Sequence, residues 1–324
     1  MQRLTLLLFL IGFVFLIKGA DMLVEGSSSL AKKFGISDII IGLTIVAFGT
    51  SAPELVVNVS SSLKGATGIT IGNVLGSNIA NILLILGASA LFAPLKVKKK
   101  LLSNEVFFTI IATVVFGIFI NDRFIDGAAQ GLVTRSEGLI LLVLLGIFLY
   151  YVYQSIKNGK ADEEEGEIKV LPVWKSLLWI VLGLGGLILG GEWIVNGAVM
   201  IAEAFGISQR VIGLTIIAIG TSLPELATSA IAAYKGKTDL ALGNVIGSNI
   251  FNILFILGMS SLITPIPALA GTTGDLILLC FATGLIYVFG YGITGKKWQI
   301  NKREGGVMVL LYFSYLGYLI FNGS

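Results

Sequence analysis

The chain has no histidine, a single cysteine and few charges: Asp, Glu, Lys and Arg make up 13% of its 324 residues. Each scarcity excludes something. A lone Cys280 rules out an internal disulfide. Without imidazole, and with one thiol, a zinc or haem centre lacks its ligands. Soluble domains usually carry about 25% charged residues, so half that share points away from a soluble globule. The net charge of +3 is too small to suggest a nucleic-acid partner.

Apolar residues take the space instead, at 55% of the chain and a mean hydropathy of +0.93. Ten segments, roughly 4–31, 38–63, 70–92, 101–121, 136–157, 172–203, 209–234, 239–263, 274–294 and 305–322, are each long enough to cross a hydrocarbon core of about 30 Å. The expected fold class is an all-α integral membrane protein with ten transmembrane helices, its partner the lipid bilayer. The amino terminus MQRLTLLLFLIGFVFLIKG starts like a signal peptide but lacks a small-residue cleavage site, so it reads as the first span. Basic residues such as Lys32, Lys33, Lys98, Lys99 and Lys100 crowd the loops of one side, sixteen against five. The positive-inside rule then sets a multi-pass topology in the cell membrane with both termini outside.

Shifted by 171 residues, the sequence matches itself. GISDIIIGLTIVAFGTSAPEL falls on GISQRVIGLTIIAIGTSLPEL, and IGNVLGSNIANILLILG on LGNVIGSNIFNILFILG, with 34 identities in the 60 positions of 35–94 against 206–265. Apolar residues align by chance, but Pro53/Pro224, Glu54/Glu225 and Asn81/Asn252 do not. Five spans precede the second copy, so it enters the membrane from the other side: two inverted five-helix repeats. The halves are residues 1–157 and 172–324, with repeats at about 35–94 and 206–265, joined by a polar linker at 158–171. The linker's acidic run, Asp162 to Glu167, lacks the spaced ligands of a calcium loop and reads as solvated.

Each GTSxPEL puts a proline and a carboxylate where a membrane helix wants leucine. Proline removes a backbone donor, so the helices should break near Gly49–Pro53 and Gly220–Pro224, freeing carbonyls at Ala47 and Ala218. Such groups need a partner inside the protein or a polar cavity. Thr50, Ser51 and Glu54 lie within about a turn of one another, as do Thr221, Ser222 and Glu225. On the next helix Ser77 and Asn81 share a face, as do Ser248 and Asn252. Every candidate ligand is oxygen. That suits calcium and sodium and not a metal preferring sulfur or imidazole. Paired mid-membrane carboxylates are costly enough to imply function. Asn73, Asn78, Asn244 and Asn249 read as hydrogen-bonding support, and Gly42, Gly72, Gly76 and Gly87 as close helix packing. Lys18 and Asp21, three apart, could neutralise each other, with Glu25 nearby and Glu192 as the repeat match of Asp21. GYGITGKK, 290–297, imitates a phosphate loop but ends in Lys297 and follows a span rather than a strand.

These motifs resemble the sodium/calcium exchanger family within the larger cation/calcium exchanger group, along the whole chain. Related cation/proton exchangers carry their glutamate in a GNxxE motif, whereas here it follows proline. The resemblance implies a metal site at Ala47, Thr50, Ser51, Glu54, Ser77, Asn81, Ala218, Thr221, Ser222, Glu225, Ser248 and Asn252, no cofactor, and calcium and sodium as transported ions. Some members, including the potassium-dependent branch, carry aspartate at the position of Asn252, so asparagine argues against potassium co-transport. The expected function is sodium/calcium antiport by alternating access, electrogenic, with the glycine-rich first and sixth spans (Gly19, Gly26, Gly190, Gly191, Gly197) as gates. Proton/calcium exchange is the alternative and a cation channel a weaker one. An enzyme is disfavoured, since the paired acids have no nucleophile or histidine beside them. A monomer is the default expectation.

Overall fold

The computed structural model describes residues 2–125, 127, 130–158, 170–206, 216, 218–269 and 271–322. Within these the chain is almost entirely helical. The helices are α1 (Gln2–Phe34), α2 (Asp38–Thr50), α3 (Ala52–Leu63), α4 (Thr67–Phe92), α5 (Lys99–Ile120) and α6 (Arg135–Asn158). The second half gives α7 (Val173–Ala204), α8 (Ala218–Thr221), α9 (Leu223–Tyr234), α10 (Thr238–Ile263), α11 (Thr272–Gly290) and α12 (Lys302–Asn322). Eight of the described helices are long and apolar enough to cross a membrane, or nine with α2 and α3 taken as one span bent by 46°. The span expected at 209–234 lies partly outside the described residues, as do most of the second copy's GISQRVIGLTII and the acidic run 162–167.

Burial separates a centre from a rim. In α10, 94% of the most apolar window is buried, against 22% in α6; a helix apolar on every side belongs in the middle. The rim of α6 shows Leu139, Val143, Ile147 and Tyr150 outward, as a lipid-facing helix should. Two short ladders tie the halves together. β1 (Leu95–Lys96) pairs antiparallel with β4 (Gln299–Ile300), and β2 (Leu132–Val133) with β3 (Ile266–Pro267). Each joins loops that the back-and-forth path of the helices brings to the same face.

The long helices α1 and α7 run antiparallel and pack on each other more extensively than any other described pair. Glycine allows it. A Cβ on Gly12 would lie 2.9 Å from the Gly190 carbonyl oxygen, one on Gly19 2.7 Å from that of Gly183, and one on Gly26 2.8 Å from that of Ser176. The seven-residue spacing keeps this stripe on one face, so the backbones touch along the membrane. At the end of α9, Lys235 pairs with Asp21 and, at 2.6 Å, with Glu25, both on α1. Burial opposes the Lys235 charge, but the two carboxylates outweigh it and hold its pKa above the usual lysine value. Asp21 therefore answers Lys235 and not Lys18, which is exposed.

Candidate functional site

The break in GTSxPEL is sharper than a kink. One helix ends at Thr50, Ser51 caps the next, and Pro53 falls in the new helix's first turn. There its missing N–H costs nothing, because first-turn amides have no partner within the helix. Ser222 and Pro224 repeat this in front of α9. Glu54 and Glu225 thus sit in the first turn of a helix, where the aligned peptide dipoles favour negative charge. The break does not free the Ala47 carbonyl as the sequence suggested. It accepts the Ser51 N–H at 3.0 Å and lies 3.3 Å from the Thr50 hydroxyl. The helix stays closed through Ser51 and parts only beyond it. Ala218 opens α8.

The second helices of each repeat carry another irregularity. α4 and α10 widen into π-helical turns at Ala80–Leu86 and Phe251–Leu257, positions related by the same shift of 171. Asn81 and Asn252 are the second residues of these turns. Single π turns inside α-helices often mark functional sites.

Breaks and π turns converge at mid-molecule, and the contacts between repeats come in reciprocal pairs. The Ser51 hydroxyl donates to Glu225 Oε1 at 2.8 Å, and Ser222 to Glu54 Oε1 at 3.1 Å. The Thr50 hydroxyl lies 3.1 Å from Asn244 Oδ1, and that of Thr221 3.4 Å from Asn73 Oδ1. Asn81 Nδ2 donates to Asn249 Oδ1 at 2.9 Å, and Asn252 Nδ2 to Asn78 Oδ1 at 3.2 Å. Each member maps onto its counterpart by the 171-residue shift. Ser248 adds a bond to Glu225 Oε1 at 3.4 Å, and Asn244 anchors on Ser229 Oγ at 2.9 Å.

Glu54 and Glu225 are each 1% exposed, and no ion pair reaches either among the described residues. Glu54 Oε2, Glu225 Oε2, Ser77 Oγ, Asn81 Oδ1 and Asn252 Oδ1 are buried with no hydrogen-bond partner. Buried polar atoms are nearly always paired, and an unmatched buried carboxylate is costly. Unpartnered buried oxygens are the kind of group that a cation would satisfy. Of the site residues foreseen from sequence, Thr50, Ser51, Glu54, Asn81, Thr221, Ser222, Glu225, Ser248 and Asn252 make the bonds described above, while Ser77 is buried with its hydroxyl unpartnered and Ala218 opens α8. The four supporting asparagines also take the hydrogen-bonding role read for them. A Cβ on Gly42 would lie 2.8 Å from the Leu240 carbonyl oxygen and one on Gly87 2.9 Å from that of Gly305, so both pack closely, while a Cβ on Gly72 or Gly76 would meet no atom of a neighbouring element within 4 Å among the described residues. The sequence reading missed the π turns and Lys235. The first has no composition signal, and the second would have needed Lys235 to be paired across 210 residues with Glu25.

Membrane helices laced around two buried acids and a ring of hard oxygen donors define a carrier of small cations. The sodium/calcium exchanger protein family model matches residues 4–154 and 175–321. Over 352 aligned residues the chain is 33% identical to the sodium/calcium exchanger MaX1 of Methanosarcina acetivorans, covering 99% of this chain and 100% of that protein. It is 42% identical over 320 residues, 97% of each chain, to CaxA of Alkalimonas amylolytica, whose name gives antiporter as a provisional description. Among solved structures, one of the sodium-calcium exchanger NCX_Mj superposes with a TM-score of 0.82 at 37% identity, covering 98% of this chain and 100% of that one. The chain belongs to the sodium/calcium exchanger family, whose members are membrane cation exchangers.

Proposed function

We propose that this protein is a secondary-active antiporter that moves calcium against sodium through one central site by alternating access. The observation that carries the reading is the set of five buried, unpartnered oxygens around two carboxylates with no cationic neighbour. Glu54 and Glu225 supply the charge. Thr50, Ser51, Ser77, Asn81, Thr221, Ser222, Ser248 and Asn252 supply neutral oxygens, and the carbonyls of Ala47 and Ala218 complete the set. The Ala47 oxygen keeps a lone pair for an ion whenever Thr50 gives its single proton to Asn244. Calcium takes about six to eight such oxygens, and sodium shares the preference.

Exchange follows from charge. Empty, the site carries about two negative charges, and moving it through the membrane interior would be very costly. One calcium ion neutralises it, and so do two or more sodium ions, so one set must replace the other before the site faces the opposite side. More sodium charge than calcium charge per cycle makes the exchange electrogenic. Asn252 offers no third carboxylate, so potassium is not required. The reciprocal contacts support an inverted repeat, which gives two nearly equal conformations; ten spans with both termini outside follow from hydropathy and the bias of basic residues. The serine hydroxyls beside the acids have no histidine to activate them, so no enzymatic activity is assigned, and one chain contains the complete site.

Purified protein in liposomes should take up calcium down an outward sodium gradient, with saturation, and should build a membrane potential as it does. Uptake driven equally by a proton gradient, with sodium inert, would move the assignment to proton/calcium exchange. Flux that neither saturates nor needs a counter-ion would mean a channel.

A further inference from the structure

Of the site's neutral ligands, the two amides alone are ambiguous. An asparagine turned one way offers oxygen to a cation; turned the other way it offers an N–H, which repels it. The structure settles the direction through residues of the opposite repeat. Asn252 Nδ2 points at Asn78 Oδ1 at 3.2 Å, and Asn81 Nδ2 at Asn249 Oδ1 at 2.9 Å. Asn249 Nδ2 in turn holds the Asn78 backbone carbonyl at 3.3 Å. Both Asn252 Oδ1 and Asn81 Oδ1 are left buried without partners. All four side chains are at most 1% exposed, so water does not compete for these bonds.

The geometry points to Asn78 and Asn249 as positioning residues: each holds the other repeat's site amide oxygen-first toward the ion. The inference rests on the proposed ion site. Neither residue touches the ion; each acts by accepting an N–H that would otherwise be free to turn inward. The arrangement can also reverse. Asn78 Nδ2 has no partner, so against a carboxylate at position 252 the Asn78 amide can turn and donate instead. A carboxylate presents oxygen in either orientation and has no need of an orienting neighbour.

That difference supplies the test. Calcium uptake into proteoliposomes is measured against calcium concentration for four proteins: the parent, Asn78→Leu, Asn252→Asp, and the double variant. Leucine is close to asparagine in shape and removes the acceptor. In the parent background Asn78→Leu should raise the apparent KM for calcium about tenfold, the usual scale for removing a partner that orients a ligand, with maximal rate held within about twofold. In the Asn252→Asp background the same change should move KM less than about twofold. Equal losses in both backgrounds would reduce Asn78 to a packing role and overturn the inference, as would no loss in either. If Asn78→Leu does not fold, Asn249→Leu with and without Asn81→Asp reads out the same thing from the other pair. Calcium titration of the detergent-solubilised parent and of Asn252→Ala runs alongside. A parent that binds no calcium, or an Asn252→Ala variant that binds it unchanged, removes the ion site itself, a failure distinct from that of the orienting pair.

Discussion

At the face of the molecule that carries Lys235, α1 lies along α9 and is pinned there by Lys235 through Asp21 and Glu25. At the opposite face Lys64 and Glu192 stand at the positions of Lys235 and Asp21, with Asn196 at that of Glu25; Lys64 and Glu192 are exposed and form no ion pair among the described residues. There α7 makes no comparable contact with α3. The lining differs too. Buried Ala232, Ala233 and Ala241 flank the path at the Lys235 end, where the repeat puts Ser61, Ser62 and Thr70 at the other. One end is lined by alanine and latched to α1; the other is lined by hydroxyls and carries no such latch among the described residues. The latch's lysine and one of its two carboxylates are encoded twice, but Glu25 falls on Asn196, so part of the asymmetry is written in the sequence. The alanines and serines are fixed in sequence, so that difference persists whichever way the site faces.

The largest effect removes what both ends share. Glu54→Gln and Glu225→Gln should each lower exchange more than about a hundredfold while the protein stays folded, because a calcium ion would be left with uncompensated charge in the occluded site. Calcium-driven sodium efflux measures it, and near-normal flux in either variant would show that the acids do not hold the ion. Next comes the stripe along which the two gates meet. Gly19→Leu would push a side chain into the Gly183 carbonyl, 2.7 Å from the position of its Cβ. Overpacking of this kind costs about 1–3 kcal/mol, and exchange should fall at least tenfold with a lowered melting temperature.

Asn252→Asp adds a third negative charge, so the occluded site needs one more cation. Exchange should then respond to potassium, or to pH between about 6 and 8, where the parent does not. Profiles matching the parent would place Asn252 outside the site. The latch is weaker. Asp21 and Glu25 are 36% and 42% exposed, and partly screened pairs of this kind are worth roughly 1 kcal/mol together. Lys235→Ala should thus raise labelling of a cysteine at Ala232 from the Lys235 face about fivefold in a Cys280→Ala background, and Lys64→Ala should not. The smallest effect is none: Glu163, Glu164 and Glu165 changed to Gln should leave transport unchanged.

Much of this was legible in the sequence because duplication doubles the signal. Pro53 and Glu54 standing alone would read as one anomaly; repeated as Pro224 and Glu225 they locate a site and pair its halves. Helix extents followed from hydropathy, within a few residues at most ends. What stayed hidden depends on three-dimensional pairing. Which nitrogen of Asn81 faces which oxygen of Asn249, or that Lys235 reaches back to α1, is decided by crossing helices and not by local pattern. The break at the proline was foreseen, but its effect on the Ala47 carbonyl was not, for a related reason. The place of Pro53 in the first turn of a new helix, and not inside an old one, depends on Ser51 taking the capping position.

The π turns have a consequence for the helices' phase. Each amounts to one residue more than an α-helical turn holds, and one residue is worth about 100° of rotation. Ahead of the turn, Ser248 faces the Glu225 carboxylate, and Ser77 holds the same position in the first repeat. Beyond it, Gly87 and Gly258 face neighbouring backbone: a Cβ there would lie 2.9 Å from the Gly305 carbonyl oxygen and 3.2 Å from that of Gly138. A straight helix of the same sequence could satisfy one of these directions and would miss the other by about a quarter turn. Deleting a single residue between 82 and 86 would leave hydropathy nearly unchanged and every ligand in the sequence, yet it would make the chain choose between its ion site and its packing.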